Sequence, residues 1–201
     1  MILSERFDAA LVLASDLHRD QTRKQTEIPY VAHLLAVSAI VLENGGDEDQ
    51  AIAALLHDAP EDQGGRATLG MIRDRFGDLV ARIVEDCTDT FEDPKPDWLA
   101  RKIAYLKHLE HQADAASLLV SAADKLHNLR AIRGDFAQQG EQLWDRFNGR
   151  PGQQLWYFQG LALIYNERMA GRLADIFSHE VERFAAELAA AGIQLEVPTR
   201  E

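Results

Sequence analysis

The chain of 201 residues contains a single cysteine, Cys87, which excludes an internal disulfide and is typical of a reducing compartment. Basic residues are outnumbered, with 21 Lys and Arg against 33 Asp and Glu, for a formal net charge of −12. General binding to nucleic-acid polymers or anionic membranes needs basic surfaces, so neither is expected. The N-terminus lacks a signal-peptide pattern, and no apolar run reaches membrane-spanning length. We expect a cytoplasmic protein, and the sequence leaves its oligomeric state open.

Strand-type alternation of polar and apolar residues is missing over any useful length, as are internal repeats and low-complexity tracts. Apolar residues instead recur at spacings of three and four, which predicts amphipathic helices. We therefore expect an all-α bundle of about eight helices, folded as a single domain over residues 1–201. A core of about residues 5–133 carries the motifs described below, and C-terminal helices within residues 154–190 would complete the bundle.

Several helix boundaries follow from capping residues and glycines. Asp47 is expected to cap the third helix, and Asp114 a strongly amphipathic helix that runs through Ile132. Residues 63–67 include two consecutive glycines and are expected to form a turn, after which Thr68 opens a short helix. These boundaries place the chemically informative residues at helix ends and on helix faces.

The most informative stretch is LLHDAPED, in which an apolar run leads directly into four ionisable side chains within six residues. An unpartnered charge in a core costs several kcal/mol, so a metal ion is the simplest partner for adjacent His57 and Asp58. Pro60 would break or kink the helix at this point. Glu61 and Asp62 would then lie at the helix mouth and face whatever the metal binds.

Two more residues complete a candidate ligand set. His33 lies on the apolar face of the predicted second helix, and Asp124 on the otherwise apolar side of a later helix. Each has an ordinary alternative as a buried hydrogen-bonded side chain, but two His and two Asp together suit Mn²⁺, Fe²⁺ or Zn²⁺. Asn128 is predicted to share a face with Asp124. His127 is predicted to point away from Asp124 and to play no part in the site.

The order H…HD…D resembles the signature of the HD-domain phosphohydrolases. The longer motifs PYVAH, HDAPED and ADKLHNLR resemble the hydrolase half of RelA/SpoT enzymes and its stand-alone versions, the small alarmone hydrolases of the metazoan SpoT homologue type. The resemblance covers about residues 5–133. HD alone is a weak signal, whereas the three longer motifs together are specific. The resemblance implies a metal-dependent hydrolase that removes the 3′-pyrophosphate from the guanosine alarmones (p)ppGpp.

The resemblance also implies a role for each matching position. The implied metal ligands, with Mn²⁺ the usual ion of the family, are His33, His57, Asp58 and Asp124. Glu61 and Asp62 would orient or deprotonate the attacking water. The implied contacts to the phosphorylated nucleotide are Arg23, Lys24, Lys125, Asn128 and Tyr157.

Two alternatives remain open at this point. The substrate could be another phosphorylated nucleotide, such as an adenosine alarmone or NADPH, because base specificity does not follow from the motifs. The site could also hold metal or nucleotide without catalysis, although the presence of both Glu61 and Asp62 favours an enzyme. The proline-rich segment 90–97 is predicted to be a loop, and whether it closes over a site is open. Aromatic residues after position 155 are expected in the core, with the exception of Tyr157.

Overall fold

The computed structural model describes residues 2–169 and 171–193, and all regular elements within these residues are helices. The all-α prediction is confirmed. None of the helices in this part of the chain combines the length and apolar character that a bilayer-crossing segment requires. The elements are α1 (Glu5–Leu17), α2 (Val31–Glu43), α3 (Glu48–Leu56), α4 (Ala59–Asp62), α5 (Gly65–Phe76), α6 (Asp78–Cys87), α7 (Trp98–His111), α8 (Ala115–Gln139), a 3-10 helix (Gly140–Arg146), α9 (Pro151–Arg168) and α10 (Arg172–Ala190).

Helices α2 and α3 form a tight antiparallel hairpin. The turn is closed by Gly46, where a Cβ atom would lie 2.4 Å from Cγ1 of Val41 and 3.1 Å from Cδ2 of Leu119. Asp47 caps α3 as predicted: its side chain accepts from the Gln50 backbone, and the Gln50 side chain accepts from the Asp47 backbone. The hairpin therefore brings the start of α2 and the end of α3 to the same end of the bundle.

The turn after α4 is shorter than predicted. Helix α5 begins at Gly65 and not at Thr68, because Gly64 and Gly65 both adopt positive φ angles, 110° and 63°, and reverse the chain within two residues. The hydroxyl of Thr68 donates back to the carbonyl of Gln63 and fixes this reversal. The chain thus re-enters the bundle directly after the acidic residues of α4.

Helix α8 is the central element, since it packs against α2, α3, α6, α9 and α10. It begins after Asp114, whose side chain accepts from the backbone of Ser117 as predicted. The helix extends beyond the predicted end at Ile132 to Gln139, because Phe136 is still buried and anchors the additional turns. Its length allows one face to carry several site residues in a row.

The C-terminal helices supply an aromatic layer. Phe158, Tyr165, Phe177 and Phe184 are buried and contact one another at ring-centroid distances of 5.1–6.3 Å. The prediction that these aromatic residues belong to the core is confirmed. Because α9 and α10 pack on α8, we propose that residues 154–190 complete the same domain as residues 5–133.

Candidate functional site

Four side chains from distant parts of the chain converge where α2, α3 and α8 meet. Nε2 of His33, in the first turn of α2, lies 3.4 Å from Oδ2 of Asp58 and 3.2 Å from Oδ1 of Asp124. Nε2 of His57, which directly follows α3, lies 3.0 Å and 3.6 Å from the same two oxygens. Both imidazoles and Asp124 are buried, and Asp58 is about one-fifth exposed, at 19% of its side chain. The group therefore has one side open to solvent.

The donor set fits a cation. Nδ1 of His57 bonds to the carbonyl of Ala54 at 2.8 Å and so carries a proton, which leaves Nε2 as the atom that binds either a second proton or a metal ion. This buried Nε2 has no hydrogen-bond partner in the described part of the chain, although two carboxylates face it. Burial disfavours charging His57, but Asp58 and Asp124 outweigh burial and raise its pKa well above the usual value. The electrostatics of the group call for a positive charge between these atoms.

The prediction that His127 points away from Asp124 is wrong. Residues three apart on an α-helix are separated by about 60° of rotation, so both lie on the same side of α8. Nδ1 of His127 lies 2.8 Å from Nδ1 of His33. Burial, followed by the charges of His33 and Arg23, lowers the pKa of His127 to about 4. A neutral His127 therefore accepts the His33 Nδ1 proton and leaves the Nε2 lone pair of His33 directed at the group.

Three further side chains hold the carboxylates. The Tyr30 hydroxyl donates to Oδ2 of Asp58 at 2.7 Å, and Nδ2 of Asn128 donates to Oδ1 of Asp124 at 2.6 Å. Nζ of Lys125 lies 2.5 Å from Oδ2 of Asp124, where burial opposes its charge but the carboxylate outweighs it and raises the Lys125 pKa. Tyr30 was not identified from the sequence, although its position directly after Pro29 within the PYVAH motif was a usable signal.

A cleft of about 290 Å³ adjoins this group and contains three of the predicted substrate contacts. Nη2 of Arg23 donates to Oδ1 of Asn128 at 2.9 Å, so Arg23 is linked through one residue to Asp124. Lys24 lines the same cleft. The lining residues are Arg23, Lys24, Thr26, Ile28, Tyr30, Asn128, Ala131, Ile132, Asp135, Arg146 and Phe147.

The predicted catalytic pair, Glu61 and Asp62, lies on α4 beside a separate cavity of about 440 Å³ that shares no lining residue with the cleft. Nζ of Lys95 lies 2.8 Å from Oε1 of Glu61 and 3.7 Å from Oδ1 of Asp62. The backbone of Asp89 donates to Oε2 of Glu61 at 3.2 Å. The predicted loop of residues 90–97 is observed and brings Lys95 onto the acidic pair.

Tyr157, the remaining predicted substrate contact, is buried, with 3% of its surface exposed. Its hydroxyl has no hydrogen-bond partner among the described residues, and Nζ of Lys102 lies 5.1 Å from its ring centroid. Nζ of Lys102 also lies 3.1 Å from Oδ2 of Asp89, whose backbone donates to Glu61, so Asp89 links Lys102 to Glu61. Burial lowers the pKa of Lys102 to about 7. Sequence reasoning missed Lys102, for which the only signal was a pair of cations just after the proline-rich loop.

Comparisons with known proteins identify relatives of this arrangement. The HD domain family matches residues 10–154 of the chain. The guanosine-3′,5′-bis(diphosphate) 3′-pyrophosphohydrolase MESH1 of Xenopus tropicalis is 41% identical over 134 residues, which cover 63% of this chain and 72% of that protein. The human MESH1 protein is 40% identical over 131 residues, or 62% of this chain and 70% of that protein.

The fold has a close counterpart among solved structures. A structure described as a metazoan ortholog of SpoT that hydrolyzes ppGpp aligns with a TM-score of 0.70 at 23% identity. The alignment covers 96% of this chain and 99% of that chain, which supports the same helical bundle throughout. The resemblance to RelA/SpoT-type hydrolases is confirmed, and the chain belongs to the HD domain family.

Proposed function

We propose that the protein is a metal-dependent hydrolase that removes the 3′-pyrophosphate from the guanosine alarmones (p)ppGpp. The observation that carries the proposal is the convergence of His33, His57, Asp58 and Asp124, with Asp58 directly preceding α4, which carries Glu61 and Asp62. The similarity to proteins named guanosine-3′,5′-bis(diphosphate) 3′-pyrophosphohydrolases supports the substrate class. The single cysteine, typical of a reducing compartment, supports a cytoplasmic location.

The four converging side chains are the proposed metal ligands, and Mn²⁺ is the proposed ion. Two imidazole nitrogens and two carboxylates are a donor set that Mn²⁺ accepts, with positions left for water. A bound divalent ion would lower the pKa of coordinated water and offset charge on a phosphoryl oxygen. Tyr30, Asn128, Lys125 and His127 hold the ligands in position through the hydrogen bonds described above.

The positions of the two cavities favour one orientation of the bound substrate. We propose that the nucleoside occupies the cleft of Arg23, Lys24 and Asn128, and that the 3′-diphosphate crosses the ligand group toward α4. Glu61 is the proposed base that takes a proton from the attacking water, with Asp62 orienting that water. The water oxygen forms a bond to the phosphorus that is attached to the ribose 3′-oxygen. The bond between this phosphorus and the 3′-oxygen breaks, and the 3′-oxygen receives a proton.

Cations near Glu61 would receive the departing pyrophosphate. Lys95 contacts Glu61, and Lys102, which lies under the ring of Tyr157, is linked to Glu61 through Asp89. Their charges offset the anionic substrate locally, although the whole molecule is acidic. Tyr157, with its unpartnered hydroxyl, is thus proposed to contact the diphosphate end of the nucleotide.

A hydrolysis assay with a panel of nucleotides tests the proposal. Purified protein with Mn²⁺ is expected to convert guanosine 3′,5′-bis(diphosphate) to GDP and pyrophosphate, and a chelator is expected to stop the reaction. The adenosine counterpart and NADPH in the same panel test the alternative substrates. Mn²⁺-loaded protein that leaves every guanosine alarmone intact would exclude the proposed function.

Two variants separate metal binding from proton transfer. Asp124→Ala is expected to lose both stoichiometric Mn²⁺ and activity, because it removes a ligand. Glu61→Gln is expected to retain the metal while kcat falls by about 10²–10⁴, the usual contribution of a general base. Glu43→Gln, at the exposed last residue of α2, serves as the matched control. A Glu61→Gln protein with wild-type kcat would disprove the base assignment.

A further inference from the structure

The outer end of the cleft contains a carboxylate outside the sequence motifs. Nη1 of Arg146 donates to Oδ2 of Asp135 at 2.9 Å, and Nη2 of Arg146 donates to the carbonyl of Lys24 at 2.9 Å. Arg146 therefore fixes Asp135 against the wall of the cleft. Within the described part of the chain, Oδ1 of Asp135 receives no hydrogen bond, and about a third of the side chain is exposed, at 34%. A charged acceptor is thus presented to whatever occupies the cleft.

Helix α8 sets the distance between the carboxylate of Asp135 and the proposed metal ligand Asp124. Asp124, Asn128 and Asp135 lie four and then seven residues apart, which places all three on one side of the helix. The eleven residues from Asp124 to Asp135 correspond to a rise of about 16 Å. A nucleotide with its 3′-phosphate at Asp124 and its sugar at Asn128 would point its base along this row toward Asp135.

The remaining walls suit a planar apolar ring system. Ile28, Ile132 and Phe147 line the cleft together with the Asp135–Arg146 pair. Its volume of about 290 Å³ is close to the lower bound of about 300 Å³ for typical small-molecule sites. Apolar walls with one fixed polar group at the end are the usual arrangement for orienting a ligand.

We propose that Asp135, held by Arg146, selects guanine over adenine in the substrate. This inference rests on the proposed function and adds the residue that determines base specificity. A carboxylate can accept from both N1–H and the N2 amino group of guanine, which lie side by side on the same edge. Adenine presents a lone pair at N1, so the same carboxylate would face an acceptor and lose a hydrogen bond.

The isosteric variant Asp135→Asn tests the proposal. An asparagine can still accept from Arg146, so the cleft wall is retained, but its amide group can pair with adenine N1 and N6. We expect the ratio of kcat/KM for guanosine 3′,5′-bis(diphosphate) to that for its adenosine counterpart to fall at least about tenfold. The decrease should arise mainly from KM. Asp145→Asn, at an exposed position of the neighbouring 3-10 helix, should leave the wild-type ratio unchanged.

Equilibrium binding of GDP and ADP, measured by calorimetry on the same three proteins, gives a second readout that does not require turnover. If no nucleotide is hydrolysed, the proposed function fails, and the GDP-to-ADP affinity ratio still decides the role of Asp135. A wild-type protein without preference for guanine would overturn the inference. An Asp135→Asn ratio within about twofold of wild type would also overturn it.

Discussion

Individual nitrogen atoms determine whether the proposed metal centre can form. The imidazoles of His33 and His57 each have Nδ1 engaged, by His127 and by a backbone carbonyl respectively. Each therefore has one defined direction left for a ligand bond. The tautomer of His33 depends on a single neutral acceptor, which makes His127 a sensitive point of the site.

Replacement of His127 by phenylalanine should weaken Mn²⁺ binding about 10–100-fold, the usual effect of losing a hydrogen-bond partner of a metal-bound histidine. The ring volume is kept, so packing against His33 is largely preserved. Calorimetric titration with Mn²⁺ measures the change. The exposed His111, replaced by alanine, is the control and should bind Mn²⁺ like the wild type. Equal affinities of His127→Phe and wild type would show that His127 does not support the centre.

Lys102 provides a test of pH dependence. Its pKa is about 7 in the folded protein, against an ordinary value of 10.5. Between these values the unfolded chain binds more protons than the folded one, so the free energy of unfolding rises with pH in this window. In metal-free protein, Lys102→Met should remove a rise of about 2 kcal/mol between pH 7 and 9.

Urea denaturation of the wild type and Lys102→Met at both pH values measures this difference. The exposed Lys107 lies on the same helix, and Lys107→Met should retain the wild-type dependence. A Lys102→Met protein with an unchanged pH dependence would mean that Lys102 is protonated in the fold throughout this range.

At the scale of residues, the sequence predicted proximity where local spacing sufficed. His57 and Asp58 are neighbours in the chain, and His33 and Asp124 each interrupt an apolar helix face. Lys102 could not be assigned in this way, because its position under Tyr157 depends on how α7 packs against α9. Helical periodicity shows which face of a helix is apolar, but it does not show which other helix packs against that face.

Among the helices, α10 is joined to α8 by a compact ionic cluster. Arg133 bonds both carboxylate oxygens of Glu187 and also pairs with Glu180, and only 10% of its side chain is exposed. Arg130 pairs with the same Glu180 from a position that is 47% exposed. The two arginines on this helix thus differ in their burial and in the number of carboxylates they bind.

Arg133→Met should lower the free energy of unfolding by about 2–3 kcal/mol, because it leaves Glu187 without the cation that bonds both its oxygens and leaves Glu180 with the exposed Arg130 alone. Arg130→Met should change it by less than about 1 kcal/mol, as is usual for exposed pairs. Chemical denaturation followed by circular dichroism measures both values. Similar losses in the two variants would contradict the burial argument.

Helix ends differ in how far they follow from sequence. The start of α7, Trp98–His111, follows from a local signal, because the side chain of Asp97 accepts from the backbone of Leu99 and Ala100. The end of α8 could not be predicted, because Phe136 stabilises it only through packing on the bundle. The beginning of α5 depends on both Gly64 and Gly65 adopting positive φ angles, and composition alone does not show this.

The whole molecule couples its stability to the proposed metal. The ligands come from α2, α8 and the junction after α3, so an unfolded chain cannot assemble them. Mn²⁺ at about 100 times its dissociation constant should therefore raise the melting temperature by about 5–10 °C. Differential scanning fluorimetry with Mn²⁺ or chelator measures the shift. Asp124→Ala should show no such shift, and an equal shift in that variant would place the ion elsewhere.

The crowded turn at Gly46 has a mechanical consequence. The hairpin of α2 and α3 is tightly packed at this turn, and His33 and His57 lie at its opposite, open end, one on each side. Because the turn has no space for one additional methyl group, it sets the separation of the two helix ends that carry the imidazoles, about 15 Å away along the helices. A small change in the angle between the two helices at the turn produces a larger displacement at the ends that carry the imidazoles. The affinity of the proposed site for a cation therefore depends partly on Gly46, which does not contact the cation.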